Sequence, residues 1–147
     1  MHALLRRLAL PLTGFAALSL LTLSVGARTV TDDNGASVEV PDKVERVAVT
    51  NIFPLAAAVT AYTQSGETVI GMHPASYAAA KNGLLGELWP EVLRADTGFI
   101  TGNVLNVEAL LSLNPDVVLV NAPDKRTLEA VRNAGLPAVA VSATKWD

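Results

Sequence analysis

Short aliphatic runs alternate along this chain with stretches that mix alanine, leucine and polar residues at helical spacing. Val44 to Thr50 (VERVAVT), Thr68 to Met72 (TVIGM), Val117 to Val120 (VVLV) and Pro137 to Val141 (PAVAV) are the aliphatic runs, and each predicts a strand. The third is aliphatic at every position, as expected when both faces of a strand are buried. Helices are predicted between them. Leu55 to Gln64 follows Pro54, whose missing N–H costs nothing at a helix start, and Ser65-Gly66 closes it. Tyr77 to Lys81 has Ser76 as a predicted N-cap, and Leu84 to Trp89 stops at Pro90. Asn106 is placed to cap Val107 to Leu113, and Pro123-Asp124 opens a helix that runs through Asn133 and ends at Gly135. Arg94 to Thr97 predicts a brief further strand, and Thr97 to Asn103 a glycine-containing loop.

One segment departs from the alternation. Thr29 to Thr31 and Ser37 to Val40 flank Asp32-Asp33-Asn34-Gly35, which predicts a β-hairpin, because Asn-Gly tolerates positive φ. The fold class expected is therefore α/β: a mainly parallel sheet flanked by helices, preceded by a hairpin.

The first 27 residues lie outside that pattern. Arg6 and Arg7 precede an apolar stretch from Leu8 to Val25, and Val25-Gly26-Ala27 supplies small residues at its exit. This predicts a secretory signal peptide over residues 1–27, with cleavage after Ala27. Pro11 and Gly14 interrupt the apolar run and argue against a membrane anchor; the residues around Arg6-Arg7 match a twin-arginine address poorly. The expected location is the periplasm, and the expected domain is residues 28–147. Without Arg6 and Arg7, two of the 11 basic residues against 14 acidic ones, the net charge moves from −3 to −5. An acidic exported chain makes a poor nucleic-acid partner. The chain has no cysteine, which removes disulfides, thiolate metal sites and cysteine nucleophiles.

In an open α/β sheet, ligands bind beyond the C-terminal ends of the strands. Amides, hydroxyls and aromatic groups collect at the predicted ends: Asn51, Phe53, His73, Ser76, Tyr77, Phe99, Thr101, Asn103 and Asn121 are the candidate ligand-binding residues. No phosphate-cradling glycine motif, no nucleophile elbow and no second histidine after the leader accompanies them. No catalytic residue, metal site or cofactor is expected. An exported hydrolase-like α/β enzyme is the alternative reading, and the lack of a nucleophile–base pair weighs against it.

The segments "RTVTDDNGASVEVP", "VERVAVTN", "TVIGMHP", "NVEALLSLNPDVVLV" and "AGLPAVAV" together resemble, in order, the N-terminal lobe of the periplasmic binding proteins that serve iron–siderophore, haem and cobalamin ABC importers. The resemblance covers Arg28 to Val141. It implies two α/β lobes joined by a long helix, the second absent from this chain, and a metal chelate clasped between them. It also implies a monomer that docks on an inner-membrane ABC permease with its ATPase, through one exposed glutamate per lobe. Glu108 matches that glutamate, although a first-turn carboxylate is also explained by the helix dipole alone. Among the ligands implied, an anionic ferric siderophore would favour Arg46 or Arg94 near the rim, haem would favour Tyr77 or His73 as an axial ligand, and cobalamin would favour aromatic stacking.

Overall fold

A computed structural model describes residues 26–50 and 54–142 of the 147. The predicted signal peptide, except for its last two residues, and the candidates Asn51 and Phe53 lie outside the described residues.

Strands β1 (Ala27–Thr31) and β2 (Ser37–Pro41) form the antiparallel hairpin, with Thr31 opposite Ser37. Gly35 alone in its turn takes positive φ, at 79°. The turn is organised by the carboxylate of Asp32, which accepts from the amides of Asn34 (3.0 Å) and Ala36 (2.9 Å). Asn34 points elsewhere, donating from Nδ2 to the carbonyl of Ala122 at 3.0 Å.

The main sheet contains β3 (Val47–Val49), β4 (Val69–Met72), β7 (Val117–Asn121) and β8 (Ala138–Val141), in the order β4-β3-β7-β8 with every pairing parallel. Successive side chains point to opposite faces, so each strand feeds two cores. Val47, Val49 and Val117 pack with Ala56, Ala80 and Val92 on one face. Ala48, Val118, Val120, Ala138 and Ala140 pack with Leu110, Leu128 and Val131 on the other. On the first face lie the hairpin β1–β2 and helices α1 (Leu55–Thr63) and α2 (Pro74–Asn82). On the second lie α4 (Val107–Ser112) and α5 (Lys125–Asn133). Each fully buried valine contributes about 1.5–3 kcal/mol relative to an exposed one, which is why two-sided burial selects unbroken aliphatic runs.

Three local expectations are corrected. Helix α2 starts at Pro74, with His73 rather than Ser76 as its N-cap. The proline presets φ for the first turn and draws the helix start back. The predicted strand at Arg94 to Thr97 does not form. After α3 (Leu84–Leu88), Pro90–Arg94 is a 3-10 helix, and only Asp96 bridges β4, at Gly71. Asp96 then turns the chain away by accepting from the amide of Gly98 at 2.7 Å. Inside the predicted loop, β5 (Ile100–Thr101) and β6 (Val104–Leu105) form a small hairpin around Gly102.

The far edge of β8 is covered by the first hairpin's turn. Asp32 accepts from the amide of Ala140 (3.3 Å) and Asp33 from that of Ser142 (2.5 Å), so carboxylates satisfy an otherwise open sheet edge. Asp32 also receives Arg132 of α5 at 2.6 Å, and Arg132 donates in turn to the carbonyl of Ala138.

Candidate functional site

Chain order and spatial order diverge at the middle of the sheet. From β3 the chain moves outward to β4, then crosses back to β7 on the other side. The C-terminal ends of β3 and β7 therefore flank a point where connections depart in opposite directions, and such a point leaves a crevice. A small cavity of about 30 Å³ sits there. Thr50 follows β3, His73 follows β4, Asp124 and Thr127 open α5 after β7, and Asn103 reaches in from the β5–β6 hairpin. It adjoins a larger groove of about 330 Å³ that shares Asn103, Asp124 and Thr127 and adds Val107 and Arg126.

Three of the lining groups are held from behind. Asp124 caps α5 by accepting from the amide of Thr127 at 3.1 Å. Thr50 is buried, and its hydroxyl donates to the carbonyl of Leu119 on β7. His73 caps α2 by accepting at Nδ1 from the amide of Ala75 at 3.1 Å. The result is a concave, hydroxyl- and amide-rich surface with one imidazole and one capping carboxylate, suited to holding a polar molecule by hydrogen bonds. Among the described residues no group of three or more His, Asp or Glu side chains could hold a metal ion.

The sequence candidates separate on this surface. His73 and Asn103 line the cavity, and Asn121 ends β7 beside it, its carbonyl accepting from the amide of Asp124. Thr101 is exposed on the neighbouring hairpin. Ser76 is buried and faces a separate apolar pocket of about 200 Å³ between α1 and α2, lined also by Ala56 and Ala57. Tyr77 is half-buried against the core of the first sheet face. Phe99 is fully buried in the other core and leaves the rim altogether; its ring lies against Gly71, where the strand has no side chain to obstruct it.

Both arginines considered for an anionic ligand are committed elsewhere. Arg46 donates to the carbonyls of Leu113 (2.6 Å) and Asn114 (2.9 Å) behind α4, and Asp116 accepts from the amides of Glu45 and Arg46. Arg94 pairs with Glu67 at 3.2 Å. These contacts join segments that lead into β3, β4 and β7, at the N-terminal ends of the strands, opposite the cavity. Arg126 on the groove, and Thr50, Asp124 and Thr127 in the cavity, are absent from the sequence candidates. Their signal was available: each stands within a few residues of a strand's C-terminal end.

Glu108 lies in the first turn of α4, next to Val107 of the groove. It is exposed, and none of the ion pairs among the described residues involves it. The helix that presents it is only six residues long and depends on its cap, Asn106, which accepts from the amide of Ala109 at 3.1 Å. Asn106→Ala is expected to cost about 1 kcal/mol, read as a lower urea midpoint at unchanged slope.

This arrangement has relatives among solved structures. A periplasmic solute-binding protein from Veillonella parvula superposes with a TM-score of 0.75 over 82% of this chain, at 25% identity. The chain has the fold of one lobe of the periplasmic solute-binding proteins. The molybdate periplasmic binding protein MolA of Haemophilus influenzae matches with a TM-score of 0.65 at 26% identity over 82% of the chain. A variant of the haem-binding protein HmuT matches over 92% at 0.60 and 22% identity, which speaks for the fold alone. The chain spans 36% of the length of each of the first two solute-binding proteins and 37% of the third. No protein-family model and no curated protein sequence matches it.

Proposed function

We propose that this chain is the ligand-capturing part of a periplasmic solute-binding protein. It would hold a ferric siderophore or a similar metal chelate and deliver it to the permease and ATPase of an ABC importer. The observation that carries this reading is the lobe fold shared with a solute-binding protein, with polar side chains gathered where its connections cross over. Its hydroxyl, amide and imidazole groups can hold a solute by hydrogen bonds, and binding with no bond-making is the activity expected. Secretion follows from the leader-like first 27 residues.

Glu108 is the proposed contact with the permease. An exposed carboxylate in no ion pair among the described residues is available to an arginine on another protein, and such pairs mainly govern encounter and orientation. Glu108→Ala is expected to slow uptake of a radiolabelled ferric chelate by cells carrying the importer about tenfold, the scale of one lost steering charge. The affinity of the purified protein for the same chelate should not change. Loss of affinity at normal uptake would place Glu108 on the ligand surface instead.

A further inference from the structure

The imidazole of His73 is already oriented by the backbone. Its Nδ1 accepts the N–H of Ala75, the second residue of α2, at 3.1 Å. An acceptor nitrogen carries no proton, so the neutral ring bears its single proton on Nε2. The same ring lines the cavity together with Thr50 and Asn103. We infer that His73 meets the ligand as a hydrogen-bond donor through Nε2–H, so that the ligand group seated there is an oxygen acceptor, such as a carboxylate, an oxyanion or a chelating-group oxygen, and not a metal ion with an open coordination position. This rests on the proposed role as a solute-binding lobe and specifies what that lobe recognises.

The physical case is a matter of which nitrogen is free. A histidine that binds a metal through Nε2 must carry its proton on Nδ1, and it then donates that N–H to a carboxylate or carbonyl. Here the group facing Nδ1 is itself a donor. Metal ligation would set the Nδ1–H against the Ala75 N–H, giving up the cap and leaving two donors opposed. Nor would the ion find companions, since no three His, Asp or Glu side chains converge among the described residues. The neighbouring carboxylate of Asp124 is engaged with the amide of Thr127. An oxygen acceptor asks for none of this rearrangement. It takes the proton that the cap leaves on Nε2, with the amide of Asn103 as a second donor in the same cavity.

His73 is the chain's sole histidine besides His2 of the leader, so its ring can be observed without assignment. Protein from Arg28 onward, labelled with 15N-histidine, is examined by long-range 1H–15N correlation at neutral pH, alone and with sodium molybdate, ferric citrate, zinc chloride or hemin. A proton on Nε2, a bare Nδ1, and an Nε2–H signal that moves with molybdate or ferric citrate but not with zinc are expected. Hemin should give the same absorption spectrum with the wild type and with His73→Gln. His73→Asn, which keeps an acceptor near the Ala75 amide, should unfold at the same urea concentration as the wild type, whereas His73→Ala should lower the folding equilibrium constant about fivefold. A proton on Nδ1, zinc-induced shifts of the ring, a hemin spectrum that depends on His73, or no response to either oxygen-bearing probe at high millimolar concentration overturns the inference. None of these readouts involves the importer, so uptake failing in cells would count against the transport role while leaving the ring chemistry as found.

Discussion

Replacing Asp32 by alanine is expected to remove about 3–4 kcal/mol of folding stability, a large part of the 5–15 kcal/mol typical of a domain. The side chain of Asp32 is fully buried, and it receives Arg132 at 2.6 Å besides the amides of Asn34, Ala36 and Ala140. Truncation leaves a half-buried guanidinium without its counter-charge and a strand-edge amide without an acceptor, each a cost of its own. Arg132 keeps some access to water, which places the figure toward the lower end of the range for broken buried pairs. Asp32→Asn retains acceptor oxygen but no charge, and should fall between the two.

The same site makes a prediction in pH. Burial by itself would raise the Asp32 pKa, but the hydrogen bonds from Ala36, Arg132, Ala140 and Asn34 outweigh it, and the carboxyl sits below its ordinary value. A carboxyl whose pKa is lower folded than unfolded stabilises the fold above the unfolded value and loses that contribution as pH falls through the folded one. The stability gap between wild type and Asp32→Ala, measured by urea unfolding, should therefore be full at pH 7 and shrink below about pH 4. A gap that widened in acid would show that the ion pair is not what ties the hairpin to β8 and α5.

Phe99→Ala is expected to cost about 3–5 kcal/mol, the range for emptying a buried aromatic site. The ring is fully buried, and the backbone carbonyl of Phe99 accepts the amide of Asn106 at 2.8 Å, which fixes the start of α4. The neighbouring glycine supplies an internal check. A Cβ at Gly71 would stand 2.8 Å from Cε1 of Phe99 and 3.0 Å from a methyl of Leu113. Gly71→Ala should destabilise the wild type and be better tolerated beside Phe99→Ala, where the ring no longer occupies the space. A coupling of about 1–2 kcal/mol in the double-mutant cycle is expected. Strict additivity would mean that the ring and the strand do not compete for one volume. Because Phe99 faces the core, the cost should appear in unfolding.

The expected elements were legible where their signals are local. The aliphatic runs became β3, β4, β7 and β8, and Asn106, Asp124 and Gly135 mark the boundaries read for them. The misreadings arose where two local signals competed. Ser76 and His73 were both able to cap α2, and Pro74 decided between them; Arg94 to Thr97 stands where the alternation predicts a strand, but Pro90 started a 3-10 helix that consumed its first residue. The candidate site was legible only as a set of strand ends. Phe99 looked like a rim aromatic because a glycine-flanked loop position carries no sign of the strand that will lie beneath it.

The sequence by itself determined the four strands of the main sheet and the helices between them, where most helices begin and end, and that the sheet would be parallel and covered on both faces. Those properties depend on backbone preferences and on the period of side chains over a few residues. Only the tertiary structure decided the strand order β4-β3-β7-β8, and with it the crossover that brings Thr50, His73, Asn103 and Asp124 around one cavity. It also decided that Arg46 and Arg94 serve the opposite ends of the strands, and that Asp32 meets a guanidinium a hundred residues away. Such contacts follow from which strands pair, and pairing is settled by the burial of two whole faces at once, a sum over distant residues that no local pattern contains.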